Sequence, residues 1–245
     1  MESFPIPAPA FNGHSRVVPA GNAFEWLKQG WAIFVANPAQ WLAMTVVLLV
    51  VFVGLNIVPF IGSLAANLLM PVFTAGMLCA GKKIAEGESL GINDLFAGFR
   101  QNATPLLMVG VLYMVGMLAI VLVVAALGGG SVVGGMMMGN PAGAGVVFGG
   151  MMLAMLVSLA LSLPLFMAIW FAPALVFFNG MRPVEALKAS FNACLKNLLP
   201  FLVYGLILLV LSFFAALPMG LGFLVLIPVV AGSVYVSYQD IFLSS

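Results

Sequence analysis

Residues 81–100 read GKKIAEGESLGINDLFAGFR and hold Lys82, Lys83, Glu86, Glu88, Asp94 and Arg100. On either side the chain runs without charge, through 53 residues from Gln29 to Gly81 and 81 residues from Gln101 to Met181. A third uncharged run of 43 residues, Asn197 to Gln239, follows the cluster Arg182, Glu185, Lys188 and Lys196. Glu2, Arg16, Glu25 and Lys28 precede the first run, and Asp240 closes the last. A helix crosses the hydrocarbon core of a bilayer in about 20 residues. The first and last runs therefore each fit two spans and a turn. The middle run fits two spans with a long loop, or three spans.

Composition agrees. Of 245 residues 64% are hydrophobic and only 6% charged. A soluble domain carries about a quarter charged residues, so a water-soluble enzyme of this composition is excluded. Net charge is +1, and no basic cluster exceeds Lys82-Lys83, which excludes a nucleic-acid-binding face. Cys79 and Cys194 stand far apart and form no metal-ligand pattern. Residues 1–21 carry Pro5, Pro7, Pro9 and Pro19 and read as an irregular tail, not a cleaved signal peptide.

With each run taken as a pair of spans, every charge falls on one side of the membrane. All eight Lys and Arg are then expected in the cytoplasm, as are both termini. The expected fold is an all-α membrane protein of six transmembrane helices in three pairs. The spans are placed at 41–57, 59–81, 104–127, 148–178, 200–217 and 220–241. Trp26, Trp31, Trp41, Tyr235 and Tyr238 are expected at the cytoplasmic interface, where amphipathic rings are favoured. Residues 128–150 are dense in Gly and Met and broken by Asn140-Pro141. Glycine disfavours helix by about 1 kcal/mol relative to alanine, so a loop is expected there, outside the bilayer or dipping partway into it.

A short apolar periodicity precedes each pair. It runs through Phe24, Leu27, Trp31 and Phe34, then Ile92, Leu95, Phe96 and Phe99, then Val184, Leu187, Phe191, Cys194, Leu195 and Leu198. Three-to-four spacing makes each segment an amphipathic helix, suited to the membrane interface or to packing on the end of the bundle. Leu27, Trp31 and Asn37 match Leu187, Phe191 and Asn197 in spacing, with Leu95, Phe99 and Asn102 as a shortened version. The second span of each pair holds a proline, Pro71, Pro164 or Pro228. The single membrane domain, 22–245, thus reads as three parallel repeats of about 22–88, 89–180 and 181–245, with 128–150 inserted in the second. A proline inside a helix frees a carbonyl, which Thr74 is placed to answer near Pro71. These helix-kink positions are either ordinary membrane prolines or the walls of a central cavity.

Chemistry is sparse. No span holds Asp, Glu, Lys, Arg or His except for Asp240 at the very end of the last, and the single histidine, His14, lies in the tail. Proton relays and charge-coupled pumps depend on such groups, so no catalytic residue, cofactor or enzyme activity is expected. Met136, Met137 and Met138 are candidate Cu(I) ligands, thioethers being soft donors. Without an accompanying His or Cys they read better as apolar filler. Asn67, within the second span, is expected to bond between helices. Ala154, Ser158 and Ser162, four apart, suit close helix approach.

Trp26-Leu27-Lys28-Gln29-Gly30-Trp31, Ala172-Pro173-Ala174-Leu175-Val176, Pro200-Phe201-Leu202-Val203-Tyr204-Gly205-Leu206 and Tyr235-Val236-Ser237-Tyr238-Gln239-Asp240-Ile241-Phe242 resemble an uncharacterised integral inner-membrane family of proteobacteria, over roughly residues 20–245. The resemblance implies a bacterial inner-membrane location and carries no functional residues with it. A looser similarity of pattern is to the membrane domain of some glycerophosphodiester phosphodiesterases, whose catalytic domain is absent here. The expected function is a non-catalytic scaffold or accessory protein acting through membrane lipids, another membrane protein or self-association. The alternative is a passive carrier or pore for a neutral or lipidic solute.

Overall fold

The computed structural model describes residues 10–11, 13–139 and 141–244. Glu2, Pro5, Pro7 and Pro9 of the tail and the break at Asn140 lie outside the described residues. Helix α1 (Asn22–Ala36) leads into α2 (Pro38–Asn56) and α3 (Ile61–Ala85). A 3₁₀ turn, Ile92–Phe96, and the short α4 (Ala97–Arg100) precede α5 (Ala103–Met138) and α6 (Pro141–Asn179). Then come α7 (Pro183–Lys196), α8 (Leu198–Ala216) and α9 (Phe223–Phe242). Six of these, α2, α3, α5, α6, α8 and α9, are long and apolar enough to span a membrane. They correspond to the six expected spans. Because they alternate in direction, all the described charged residues gather at one end, called here the charged end.

The expected loop at 128–150 is a correction. Helix α5 continues to Met138, Gly139 ends it in the left-handed conformation, and α6 begins at Pro141. At 36 and 39 residues these helices are about 54 and 58 Å long, against about 28 Å for the 19-residue α2. Glycine's helix penalty is small enough for tertiary packing to override it, and α5 and α6 pack against each other along this stretch. The glycines also bring the two helices together. A Cβ at Gly135 would lie 2.5 Å from the Gly143 carbonyl oxygen, and one at Gly150 would overlap the Ser131 side chain. Met136, Met137, Phe148, Met151 and Met155 face outward on this hairpin.

The packed core sits at the charged end. On α2 the buried residues are Trp41, Met44 and Thr45, all near its start, while on α9 they run from Pro228 to Phe242. Of the aromatic residues expected at the interface, only Trp31 is exposed; Trp26, Trp41, Tyr235 and Tyr238 are buried. Three of them are satisfied inside. The Trp26 indole donates to Asp240, that of Trp41 to the Ile33 carbonyl, and the Tyr238 hydroxyl to Asn179. A ring whose polar tip finds a protein partner has no need of the wet interface.

The short segments pack in a fixed order. Helix α1 lies on α9, the 3₁₀ turn and α4 lie on α3, and α7 lies on α6. Each segment thus rests on the second span of the preceding pair, and the first rests on the last. Small residues make the contacts. A Cβ on Gly30 would lie 2.6 Å from the Val229 carbonyl oxygen, and one on Gly98 would run into that of Val72. Ser190 enters the backbone ladder of α6, its hydroxyl donating to the Met167 carbonyl and accepting from the Phe171 N–H. Gly30, Gly98 and Ser190 occupy one register of the Leu27, Leu95 and Leu187 spacing. The face that packs is therefore the small one. Phe24 and Trp31 are 61% and 52% exposed, and Val184, Leu195, Ile92 and Phe99 also point outward.

The N-terminal segment is strapped to the charged end. Ala10–Phe11 (β1) pairs antiparallel with Leu243–Ser244 (β2). Arg16 forms an ion pair with Asp240, and the Val18 N–H donates to Asn197 Oδ1 at 2.8 Å. Asp240 also accepts from Asn22 and Trp26. On the second short segment, Asp94 pairs with Lys83 at 2.8 Å and accepts from the Gly91 N–H.

Candidate functional site: a cavity among the second spans

Above the packed core the helices leave a cavity of about 550 Å³. Its walls come chiefly from α3, α6 and α9, the second helix of each pair, with Leu48, Tyr113 and Ser212 added from α2, α5 and α8. The floor is Leu78 and Val234, both buried in the core of the charged end. The rim residues Asn67, Met70 and Phe166 are exposed, so the cavity opens away from the charged end. It is not a channel through the molecule.

Among the described residues no Asp, Glu, Lys, Arg or His lines it. The polar groups of the wall are Asn67, Thr74, Tyr113, Ser212 and the Trp170 indole. Asn67 Nδ2 donates to the Ser63 carbonyl and Thr74 Oγ1 to the Met70 carbonyl, each within α3. Asn67 thus does not bridge to another helix, and Thr74 does not answer the Asn67 carbonyl freed by Pro71; both expectations are corrected. A side chain four residues along its own helix reaches that carbonyl without ordering a second element. The Trp170 ring is wedged between Phe166, Phe201 and Tyr204, and its N–H is buried without a partner among the described residues.

The proline positions divide. Pro71 lines the cavity, Pro228 is buried in α9 outside the lining, and Pro164 lies on the exposed surface of α6. The wall of α6 is built instead from Pro173 and Trp170. Pro173 is legible in the Ala172-Pro173-Ala174 run, but nothing in its spacing marks it as the wall residue. Met136, Met137 and Met138 stand consecutively at the end of α5, about 100° apart round the helix, a placement that does not converge them on one ion. Cys194 is buried on α7, where burial pushes its thiol up to about 12; Cys79 lies apart on α3.

An uncharged, mainly apolar cavity of this size falls in the range of roughly 300–1,000 Å³ of small-molecule sites. It suits an apolar ligand and offers nothing to an ion. The chain is 31% identical over 226 residues to a probable inner membrane protein of Burkholderia thailandensis, covering 89% of this chain and 82% of that protein. No family model matches the chain, and no solved structure matches it.

Proposed function

We propose, for a chain that belongs to the family of this Burkholderia inner membrane protein, that it is a non-catalytic scaffold or accessory protein of the membrane acting through contacts with lipid. The observation that carries this reading is the cavity: charge-free walls, and a mouth in the half of the molecule farthest from every described charge. The outward-facing Phe24, Trp31, Val184 and Leu195 add a second lipid-contacting surface at the charged end. The ring of contacts through Gly30, Gly98 and Ser190 supports three repeats built round one axis.

Native mass spectrometry of the protein released gently from its own membrane tests the reading. At least one lipid retained per chain is expected, and a chain stripped bare under conditions that keep it folded would overturn it. A stoichiometric second protein in the same spectrum would identify what it scaffolds. The alternative, a passive carrier, draws on the same cavity. It requires the floor at Leu78 and Val234 to open, and predicts flux of a neutral solute in proteoliposomes that changes with Pro71→Ala. No flux across a panel of neutral and lipidic solutes would eliminate it.

The orientation we propose places the charged end in the cytoplasm, following the Lys and Arg bias. A phosphatase reporter inserted after Gly139, at the tip of the α5–α6 hairpin, is expected to be active outside the cytoplasm. Activity of a cytoplasm-only reporter at that site would invert the topology.

A further inference from the structure

Polar side chains within the spans are mostly satisfied by their own helices. Thr45, Asn56, Ser63, Asn67, Thr74 and Ser131 each donate to a carbonyl three or four residues back. Tyr113 and Ser212, like Ser158 and Ser162 of α6, are half-buried with hydroxyls that have no hydrogen-bond partner among the described residues. Of the four, only Tyr113 and Ser212 line the cavity, from different hairpins. Away from water an unpaired hydroxyl is costly, so a ligand that accepts from it gains what the protein lacks.

Depth narrows the ligand. Tyr113 lies ten residues into α5 and Ser212 fourteen into α8, about 15 and 21 Å from the charged-end face. In a hydrocarbon core of about 30 Å both lie well inside. A charged headgroup is not drawn to that depth, because no basic or acidic residue of the wall awaits it.

We infer that the cavity holds a lipid without a charged headgroup whose carbonyl-type oxygens (of a diester or a quinone) accept hydrogen bonds from Tyr113 and Ser212, one oxygen to each hydroxyl. Its apolar tail lies against Leu226, Val230 and Met77. This inference rests on the lipid-contact reading above and names the class of lipid.

The test is lipid extraction and mass spectrometry of three purified proteins: wild type, Tyr113→Phe/Ser212→Ala, and the cavity-filling Ala231→Phe, with Ala231→Met as the milder substitute should the phenylalanine variant misfold. The double variant removes two hydroxyls and leaves the shape. Wild type is expected to carry a charge-free carbonyl lipid, and the double variant to hold it at least about tenfold more weakly, the effect of two lost hydrogen bonds. The cavity-filling variant is expected to carry none. Equal retention by the double variant would overturn the inference. A phospholipid in wild type that Ala231→Phe displaces would also overturn it, while leaving the lipid-contact reading standing. No lipid in folded wild type would overturn both.

Discussion

Gly30→Leu is expected to cost about 3 kcal/mol or more in stability, at the upper end for overpacking. A Cβ there would lie 2.6 Å from the Val229 carbonyl oxygen and 2.7 Å from the Ser233 N–H nitrogen. Both are backbone atoms of α9, so relief requires α1 to lift away from it. That movement would pull Trp26 from its pocket beside Phe201 and Tyr204. Gly54→Leu is the control, because nothing stands within 4 Å of a Cβ at that position in α2. Thermal unfolding in detergent should separate the two clearly. Equal melting temperatures would mean that α1 does not rest on α9 as described.

Asp240→Ala should rank next. The Asp240 carboxylate accepts from Arg16, from Asn22 Nδ2 at 2.7 Å and from Trp26 Nε1 at 2.8 Å. Alanine would leave the buried Trp26 N–H without an acceptor, a loss of about 1–3 kcal/mol. The Arg16 ion pair, half exposed on the arginine side, adds little. The larger consequence is local. Arg16 and Asn22 would lose their shared carboxylate, leaving the strap held by β1–β2 pairing, by Asn197, by Lys196 on Ser15 and by the bonds of Arg16 to the backbone carbonyls of Asp240 and Ile241. Limited proteolysis should then cut within residues 13–21 much faster than in the wild type, while Asp240→Asn, which keeps an acceptor for Trp26, should fall between. An unchanged cleavage rate in Asp240→Ala would show that the Asp240 carboxylate does not hold the segment.

What could be read along the chain was whatever is one-dimensional. The clusters at Lys82–Arg100 and Arg182–Lys196, and the uncharged runs between them, divide the chain into spans because burying a charge in hydrocarbon is costly wherever the chain goes. Two spans in each of the outer runs follow from that; the middle run admits two or three, and the count of six, with charge gathered at one end, comes from taking it as two. The register of Gly30 with Ser190 was also present in the Leu27 and Leu187 spacing, before any contact was known.

Only the tertiary structure decided which face of each segment packs. The apolar periodicity of Phe24, Leu27 and Trp31 marked a face, but Ala23, Trp26, Gly30 and Ile33 are the residues buried with Phe34. In water, hydrophobic side chains point inward and the pattern identifies the core. In a membrane the lipid is as apolar as the core, so large side chains are at ease on either side, and small residues decide where helices meet. The same physics made a helical hairpin of the glycines at 128–150, placed Pro173 rather than Pro164 in the cavity wall, and brought Tyr113 and Ser212, 99 residues apart in the chain, to one cavity.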